Sequence, residues 1–297
     1  MDVNYELYKV FYYVAKTLSF SDASRHLYIS QSAVSQSVKT LEKKLGQTLF
    51  VRSTKRVSLT PAGEILFKHI EPAMNLIQKG EAQLMDASTL SGGQLRIAAS
   101  DTICRYFLVP YFNKFHSAYP GIHIKVTNST SIDCAHILEN GQVDVIVTNY
   151  PNSGLQSTQN IRPIHEFHDV FIASPSHFPL QDKCLSLEEL LNYPIMMLDR
   201  RSTTSEFLHS IFQNSHLDLA PEIELNSNDL LIDLARIGLG IAFVPDYCIP
   251  SEDDGLFVLK LKEELPSRKL VAACSESLPV PPAARQFMDM LSSGQPT

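Results

Sequence analysis

Ser30-Gln31-Ser32-Ala33-Val34-Ser35-Gln36-Ser37-Val38-Lys39-Thr40-Leu41-Glu42-Lys43-Lys44-Leu45-Gly46 is the stretch on which the fold of this chain turns. Ser30 is placed to cap a helix and Gly46 to end it. Between them Val34, Val38, Leu41 and Leu45 follow the spacing of a buried stripe, while Ser32, Ser35, Gln36, Lys39 and Lys43 lie on the opposite side. The one acidic residue, Glu42, falls off that polar stripe. A face of short hydroxyls, an amide and lysines can approach a phosphate backbone and offer hydrogen bonds to base edges, as a recognition helix in a major groove does. The same face also suits a plain solvated surface, so the flanking sequence has to decide.

Upstream, Leu7, Val10, Phe11 and Val14 share one helical face behind Asn4 as N-cap, and Ser21 is expected to cap a second short helix carrying Ala23 and Leu27. Two helices joined by a tight turn therefore precede the polar face. Downstream, Leu49–Arg52 and Val57–Thr60 read as short strands joined by Ser53-Thr54-Lys55-Arg56, a hairpin with a basic tip of the kind that meets phosphates beside a helix-turn-helix. Thr60-Pro61 then starts a long helix to about Ala87, with Thr as N-cap and Pro at the first helical position. Its apolar positions Leu66, Ile70, Ala73, Ile77, Leu84 and Ala87 form a heptad seam that seeks a partner helix or packs on its own domain. Pro72 removes the bond to Lys68 and is expected to kink it.

The charge balance supports the basic reading of the front end. All 297 residues together carry a net charge of −7, which alone would argue against nucleic acid. Residues 1–63, however, hold nine basic against four acidic side chains, and the acidic excess lies further on. Hydrophobic residues at 44% and charged residues at 19% fit a protein with a real core, and the length asks for two or three folding units. No apolar run is long enough to span a bilayer, and the start Met1-Asp2-Val3-Asn4-Tyr5-Glu6 lacks the pattern of a signal peptide, so the expected location is cytoplasmic, with no membrane partner. The cysteines Cys104, Cys134, Cys184, Cys248 and Cys274 are odd in number and form no C-x-x-C pair, which suits neither a disulfide framework nor a zinc site.

The run Phe11-x-x-Val14-Ala15, Ser19-Phe20-Ser21-x-Ala23, Leu27-x-x-Ser30-Gln31-Ser32-Ala33-Val34-Ser35, Leu41-Glu42-x-x-Leu45-Gly46-x-x-Leu49-Phe50-x-Arg52 and Val57-x-Leu59-Thr60-Pro61-Ala62-Gly63 resembles the DNA-binding domain of the LysR-type transcriptional regulators. The likeness covers about sixty residues. It departs at Ser32, where the family often has Pro, and at Leu18, where it often has Gly. Ser32 thereby frees a hydroxyl and an N–H at the helix start, which bears on base preference. The resemblance implies an α/β chain made of a winged helix-turn-helix (1–60), a linker helix for dimerisation (61–90) and an effector-binding domain (91–297). Its two α/β lobes, 91–163 with 267–297 and 164–266, would be like those of type 2 periplasmic binding proteins. Implied partners are double-stranded DNA with a dyad operator, a small-molecule effector, a second copy through the linker helix, a homotetramer, and RNA polymerase. No cofactor, metal or enzymatic activity is implied. DNA contacts are carried over to Gln31, Ser32, Ser35, Gln36 and Arg52, and the polar stripe and basic tip add Lys39, Lys55 and Arg56.

After a hinge at Ser91-Gly92-Gly93, strand-like and helix-like segments alternate in the manner of parallel sheets with crossover helices. They include a helix over Ile103–Tyr119, and the chain is expected to cross between lobes near Ile161–His165 and Pro266–Arg268. Ligands in such sheets bind beyond the carboxyl ends of strands. That rule selects Ser100, Asp101, Thr102, Asn128, Ser129, Thr130 and Thr148 from one lobe. From the other it selects Arg200, Arg201, Ser202, Thr203, Asn226 and Ser227. The favoured effector-binding set is Ser100, Asp101, Thr102, Thr130, Thr148, Ser202, Thr203 and Asn226, for a small anionic effector, although each hydroxyl or amide also serves as a plain helix cap. His165-x-x-His168 is a weak metal pair, and Cys104 with Cys134 invites either a structural or a redox reading. The expected function is an effector-responsive transcriptional regulator. A small-molecule binding protein without DNA activity is the main rival, and an enzyme the third reading, for which no P-loop, G-x-S-x-G, H-E-x-x-H or G-x-G-x-x-G motif is present.

Overall fold

The computed structural model describes residues 3–52, 56–85, 93–155, 159–249, 255–276 and 279–294. It divides into two units, Met1–Met85 and Asp86–Thr297.

The first unit runs α1 (Tyr5–Thr17), α2 (Phe20–Leu27), α3 (Gln31–Leu45), β1 (Phe50–Arg52), β2 (Val57–Leu59) and α4 (Pro61–Met85), with β1 and β2 antiparallel. Asn4 and Ser30 cap α1 and α3 by accepting the backbone N–H groups of Glu6 and Ala33, and Gly46 ends α3 at φ 66°. Ser19, not Ser21, caps α2, accepting from Asp22 N at 3.1 Å. Phe20 is the reason: it is buried at the first helical position, so the cap must lie one residue earlier. Val34, Val38 and Leu41 are wholly buried with Phe11, Val14, Ala23, Leu49 and Phe50. Each such side chain contributes about 1.5–3 kcal/mol, which outweighs the few tenths that the Ser, Thr and Val of α3 cost in helix propensity. The first unit is therefore a helix-turn-helix with a wing packed on one core.

Leu18 terminates α1 in the left-handed region at φ 49°, a conformation that costs a side chain with a Cβ energy and glycine little. Leu18→Gly is accordingly expected to stabilise the first unit by about 0.5–1 kcal/mol. Thermal unfolding checks this, and a lowered midpoint would contradict it.

The long helix α4 continues through Pro72 to Met85. Its expected seam is split. Leu66 and Ile70 pack on the core of the first unit, together with Ala62 and Phe67, whereas Ala73 and Ile77 are exposed. Met74 and Asn75 are buried, under Tyr5 and Tyr12 of α1. The Leu84 side chain, Ala87 and most of the hinge fall outside the described residues.

The second unit runs β3 (Gln94–Ala99), α5 (Asp101–Ile103), a π-helical turn (Cys104–Leu108), α6 (Val109–Ala118), β4 (His123–Asn128), α7 (Ser131–Glu139), β5 (Val145–Tyr150) and β6 (Gln159–Phe167). It continues with β7 (Asp169–Ala173), β8 (Cys184–Leu185), α8 (Leu187–Leu190), β9 (Ile195–Leu198), α9 (Thr203–Asn214), β10 (Ile223–Leu225), α10 (Asn228–Arg236) and β11 (Ile241–Pro245). Then come β12 (Phe257–Val258), β13 (Lys260–Leu261), β14 (Arg268–Ser275) and α11 (Pro282–Ser292). Two five-stranded sheets result, in the orders β4-β3-β5-β14-β6 and β10-β9-β11-β7-β12, each with its own apolar core.

Three sequence expectations change. The sheets are mixed: β3 is parallel to β4 and β5, but β14 is antiparallel to β5 and β6, and β7 antiparallel to β11 and β12. Ile161–His165 is not a crossing, because β6 extends to Phe167 along β14; the chain passes to the second sheet at His168. Finally, the single helix expected over Ile103–Tyr119 is broken by the π turn, whose wider loop sets Asp101–Ile103 out of register with α6. Local periodicity cannot show any of these, since each depends on pairing with distant residues or on one extra residue in a helical turn.

Candidate functional site

Two sites can be built from these elements. On α3, Gln31, Ser32, Gln36 and Lys39 are exposed and Ser35 is half-buried, opposite the fully buried Val34, Val38 and Leu41. Ser32 is not as free as the sequence suggests, because its hydroxyl lies 2.9 Å from that of Ser30, the cap. Glu42, which lies off the polar stripe, accepts from the backbone N–H groups of Leu49 at 2.8 Å and Phe50 at 3.2 Å. It ties β1 to the helix, and nothing in its spacing could have shown that. Thr60 extends the tie: its backbone N–H donates to Leu49 O, its hydroxyl donates to Thr48 O, and its Oγ1 caps α4 by accepting from Gly63 N. Arg56 is exposed at the start of β2, Arg52 ends β1, and Lys55 lies outside the described residues. The result is a polar helix face and a basic hairpin held in fixed register, which can hydrogen-bond bases and neutralise phosphates.

The second site is a cleft of about 380 Å³ between the two sheets of the second unit. Ser100, Asp101, Thr102, Thr130, Ser202, Thr203 and Asn226, all selected from the sequence, line it, and so do Asn128, Ser129 and Ser227. Ser100, Thr130, Ser202 and Ser227 are also N-caps, accepting from the backbone N–H three residues on. Both sequence readings of these hydroxyls thus meet in one place, since caps at the strand ends aim helix N-termini at the cleft. Thr148 does not line it; wholly buried, it accepts from Asn152 Nδ2 at 2.8 Å and contacts Ser131 O at 3.3 Å. Because strand side chains alternate, the neighbouring Asn149 faces the cleft instead. Arg200 and Arg201 do not line it either and are directed to Glu224 and Asp199.

Sequence reasoning missed several residues in and beside the cleft that join the two sheets' lobes. Asn228 Nδ2 donates to Thr102 Oγ1 at 3.0 Å, and Asn149 Nδ2 to Thr203 Oγ1 at 3.3 Å. Tyr106 and Arg105, both in the π turn, donate to the carboxylate of Asp229; burial, and then this hydrogen bond and the Asp229 charge, raise the Tyr106 pKa. Behind α9 the guanidinium of Arg268, 1% exposed, donates to Asp169 at 2.8 Å and to Thr204 at 3.1 Å, and rests over the Phe167 and Phe207 rings. Burial pushes the Asp169 carboxyl above its ordinary range, with Arg268 opposing the shift. A single charged residue at the start of β14 carries no periodic signal for this role.

The weaker constellations resolve into structural contacts. His165 packs on Phe107 and Tyr247, while His168 lies 3.9 Å from Asp246. Burial, helped by Asp101, pushes the Cys104 thiol up to about 11; burial, then Cys104 and Asp133, push Cys134 up to about 12. Such thiols stay protonated and weakly nucleophilic near neutrality. Among the described residues no helix is long and apolar enough to cross a membrane.

Comparison with known proteins places both sites in one context. Residues 5–64 match the family model described as bacterial regulatory helix-turn-helix protein, lysR family, and residues 88–295 match the LysR substrate binding domain. A protein of Synechocystis sp. named "Probable RuBisCO transcriptional regulator" is 31% identical over 243 residues, 80% of this chain and 70% of its own. The HTH-type transcriptional activator CmpR of Synechocystis sp. is 29% identical over 288 residues, covering 96% of this chain and 93% of its own. Among solved structures, full-length OxyR C199D from Pseudomonas aeruginosa has the same fold, with a TM-score of 0.74, 19% identity and coverage of 98% and 95% of the two chains.

Proposed function

This chain belongs to the LysR-type transcriptional regulators, which bind DNA through a helix-turn-helix and carry an effector-binding domain, and on that premise we propose how its own residues divide the work. Gln31, Ser32, Ser35, Gln36 and Lys39 read base edges in the major groove. Arg52, Lys55 and Arg56 neutralise phosphates beside it. The observation that carries this reading is α3 itself, whose Val34, Val38 and Leu41 are wholly buried while its opposite face holds hydroxyls, amides and lysines and no carboxylate.

In the second unit, Ser100, Asp101, Thr102, Thr130, Ser202, Thr203 and Asn226 bind a small effector, with Thr148 holding Asn152 behind them. The N-termini of α7, α9 and α10 open on this cleft and favour an anionic group on the ligand. Effector occupancy shifts how the regulator engages its operator. Exposed Ile65, Leu76 and Ile77 on α4 support pairing of two copies through that helix. A tetramer of two such dimers, contact with RNA polymerase at the promoter, and a cytoplasmic location complete the proposal.

Log–log salt titration of DNA binding tests the division of labour. Replacing Lys55 and Arg56 by Ala is expected to flatten the slope by about one to two units for every sequence. Gln36→Ala should leave the slope alone and lower specific binding by about tenfold, the worth of a good base contact. A slope identical to the parent's in the first variant would refute the phosphate role of the wing.

A further inference from the structure

We propose that a second groove, along the flank of α9, binds an organic cation: an amine or guanidinium carried on an apolar or aromatic stem. The effector cleft meets α9 at its N-terminal end, through Ser202, Thr203 and Thr204. The groove, of about 540 Å³, instead follows the stripe Thr203, Glu206, Phe207 and Ser210, which one helical face presents at steps of three and four residues. Its other wall is Tyr150 at the end of β5, Pro151, Ser153 and Leu155 beyond it, and Ile161 of β6. Among the described residues Thr203 alone lines both cavities.

Two independent features point to a ligand of this class. The first is an apolar wall that the fold does not bury. Tyr150 is 46% exposed and joins none of the apolar cores, although Val145, Ile146 and Val147 of the same strand are wholly buried. Phe207, Leu155 and Ile161 lie half-buried at the edges of two different cores and line the groove with it. A concavity of this size, walled by aromatic and aliphatic side chains around a few polar groups, has the composition of a small-molecule site.

The second feature is charge. Glu206 is the one charged side chain that lines the groove among the described residues, and no Lys, Arg or His lines it. Its two carboxylate oxygens each stand 3.5 Å from Ser153 Oγ, the long limit of a hydrogen bond, so both keep their capacity to accept. The guanidinium of Arg268, 4.9 Å from the centre of the Phe207 ring, is already neutralised by Asp169. Position in the first turn of α9 favours a glutamate through the helix dipole alone, but the dipole does not account for aromatic walls beside it. A carboxylate next to ring faces recognises an ammonium or guanidinium twice over, by charge-assisted hydrogen bonds and by cation–π attraction. An anionic ligand would meet Glu206 with no cation to offset it, and an uncharged one would cover the carboxylate without pairing it.

The test is titration of the full-length protein, followed by saturation-transfer NMR, with three probes that share one stem: phenethylamine, 2-phenylethanol and 3-phenylpropionate. Phenethylamine is expected to bind about tenfold or more tightly than either of the others. Glu206→Gln should bring it within about threefold of 2-phenylethanol, and Glu206→Lys should reverse the order in favour of 3-phenylpropionate. Both substitutions fall on an exposed side chain, and unchanged thermal unfolding confirms that the variants fold. No binding of phenethylamine, an affinity equal to that of 2-phenylethanol, or a preference that survives Glu206→Gln would overturn the cation groove. The effector reading of the cleft rests on other residues and stands or falls apart from this result.

Discussion

Gly63→Ala is expected to destabilise the first unit by about 3 kcal/mol and to abolish specific DNA binding. A Cβ on Gly63 would stand 2.2 Å from Leu49 O and 3.0 Å from the Leu59 side chain. The carbonyl cannot simply retreat, because it accepts from Thr60 N at 3.0 Å, and Leu49 N is held in turn by Glu42. Relief therefore has to come from moving α4 away from the wing, which breaks the register between α3 and the basic hairpin. Gly80→Ala is the matched control. Its Cβ meets nothing within 4 Å, so in the same long helix it should stabilise by up to about 1 kcal/mol. Thermal unfolding and operator affinity of the two variants decide the matter; equal behaviour would contradict the close approach of α4 to Leu49.

Arg268→Ala carries the largest expected loss in the second unit, about 3–5 kcal/mol, because it leaves the Asp169 carboxylate buried and unpaired. The dependence on pH gives the loss a signature. Burial already raises the Asp169 pKa and Arg268 opposes the rise, so removing the guanidinium raises it further. A carboxyl whose folded pKa exceeds its unfolded one binds more protons in the native state. Its contribution is fully present below the unfolded value and is lost as pH rises through the folded value. The variant should therefore be most destabilised at neutral pH and above, and recover relative to the parent as the solution is acidified toward pH 4–5. Replacing both partners, Asp169→Leu with Arg268→Met, should cost much less than Arg268→Ala alone. A pH-independent loss, or a double variant worse than the single one, would contradict this account.

These residues mark the boundary of what the sequence shows. Ser30, Gly46 and the stripe Val34-Val38-Leu41 announce α3 because a cap, a stop and a helical period are local facts. The basic hairpin and the helix behind Thr60-Pro61 are legible on the same ground. Glu42 and Gly63 are not, since their partners Leu49 and Phe50 approach only once the wing has folded back on the helix. In the cleft, the capping hydroxyls could be chosen because strand ends in α/β sheets aim helix N-termini at ligands. Thr148 and Asn149 are not told apart by sequence, because a one-residue shift at the end of a strand moves the side chain to the other face. Asn228, Asp229 and Tyr106 depend on the contact of two lobes and on a π turn. The −7 of the whole chain likewise conceals a basic reader ahead of an acidic sensor.

Sequencing the genomic DNA retained by the purified full-length protein tests the central claim most directly. The account predicts an enriched dyad whose half-sites lie one helical turn of about 10–10.5 base pairs, or a multiple of it, apart. The Ser35→Ala, Gln36→Ala double variant should lose that enrichment while retaining DNA at low salt. Retention without any enriched sequence, or an enrichment that the double variant leaves unchanged, would contradict the assignment of α3 as the element that reads DNA.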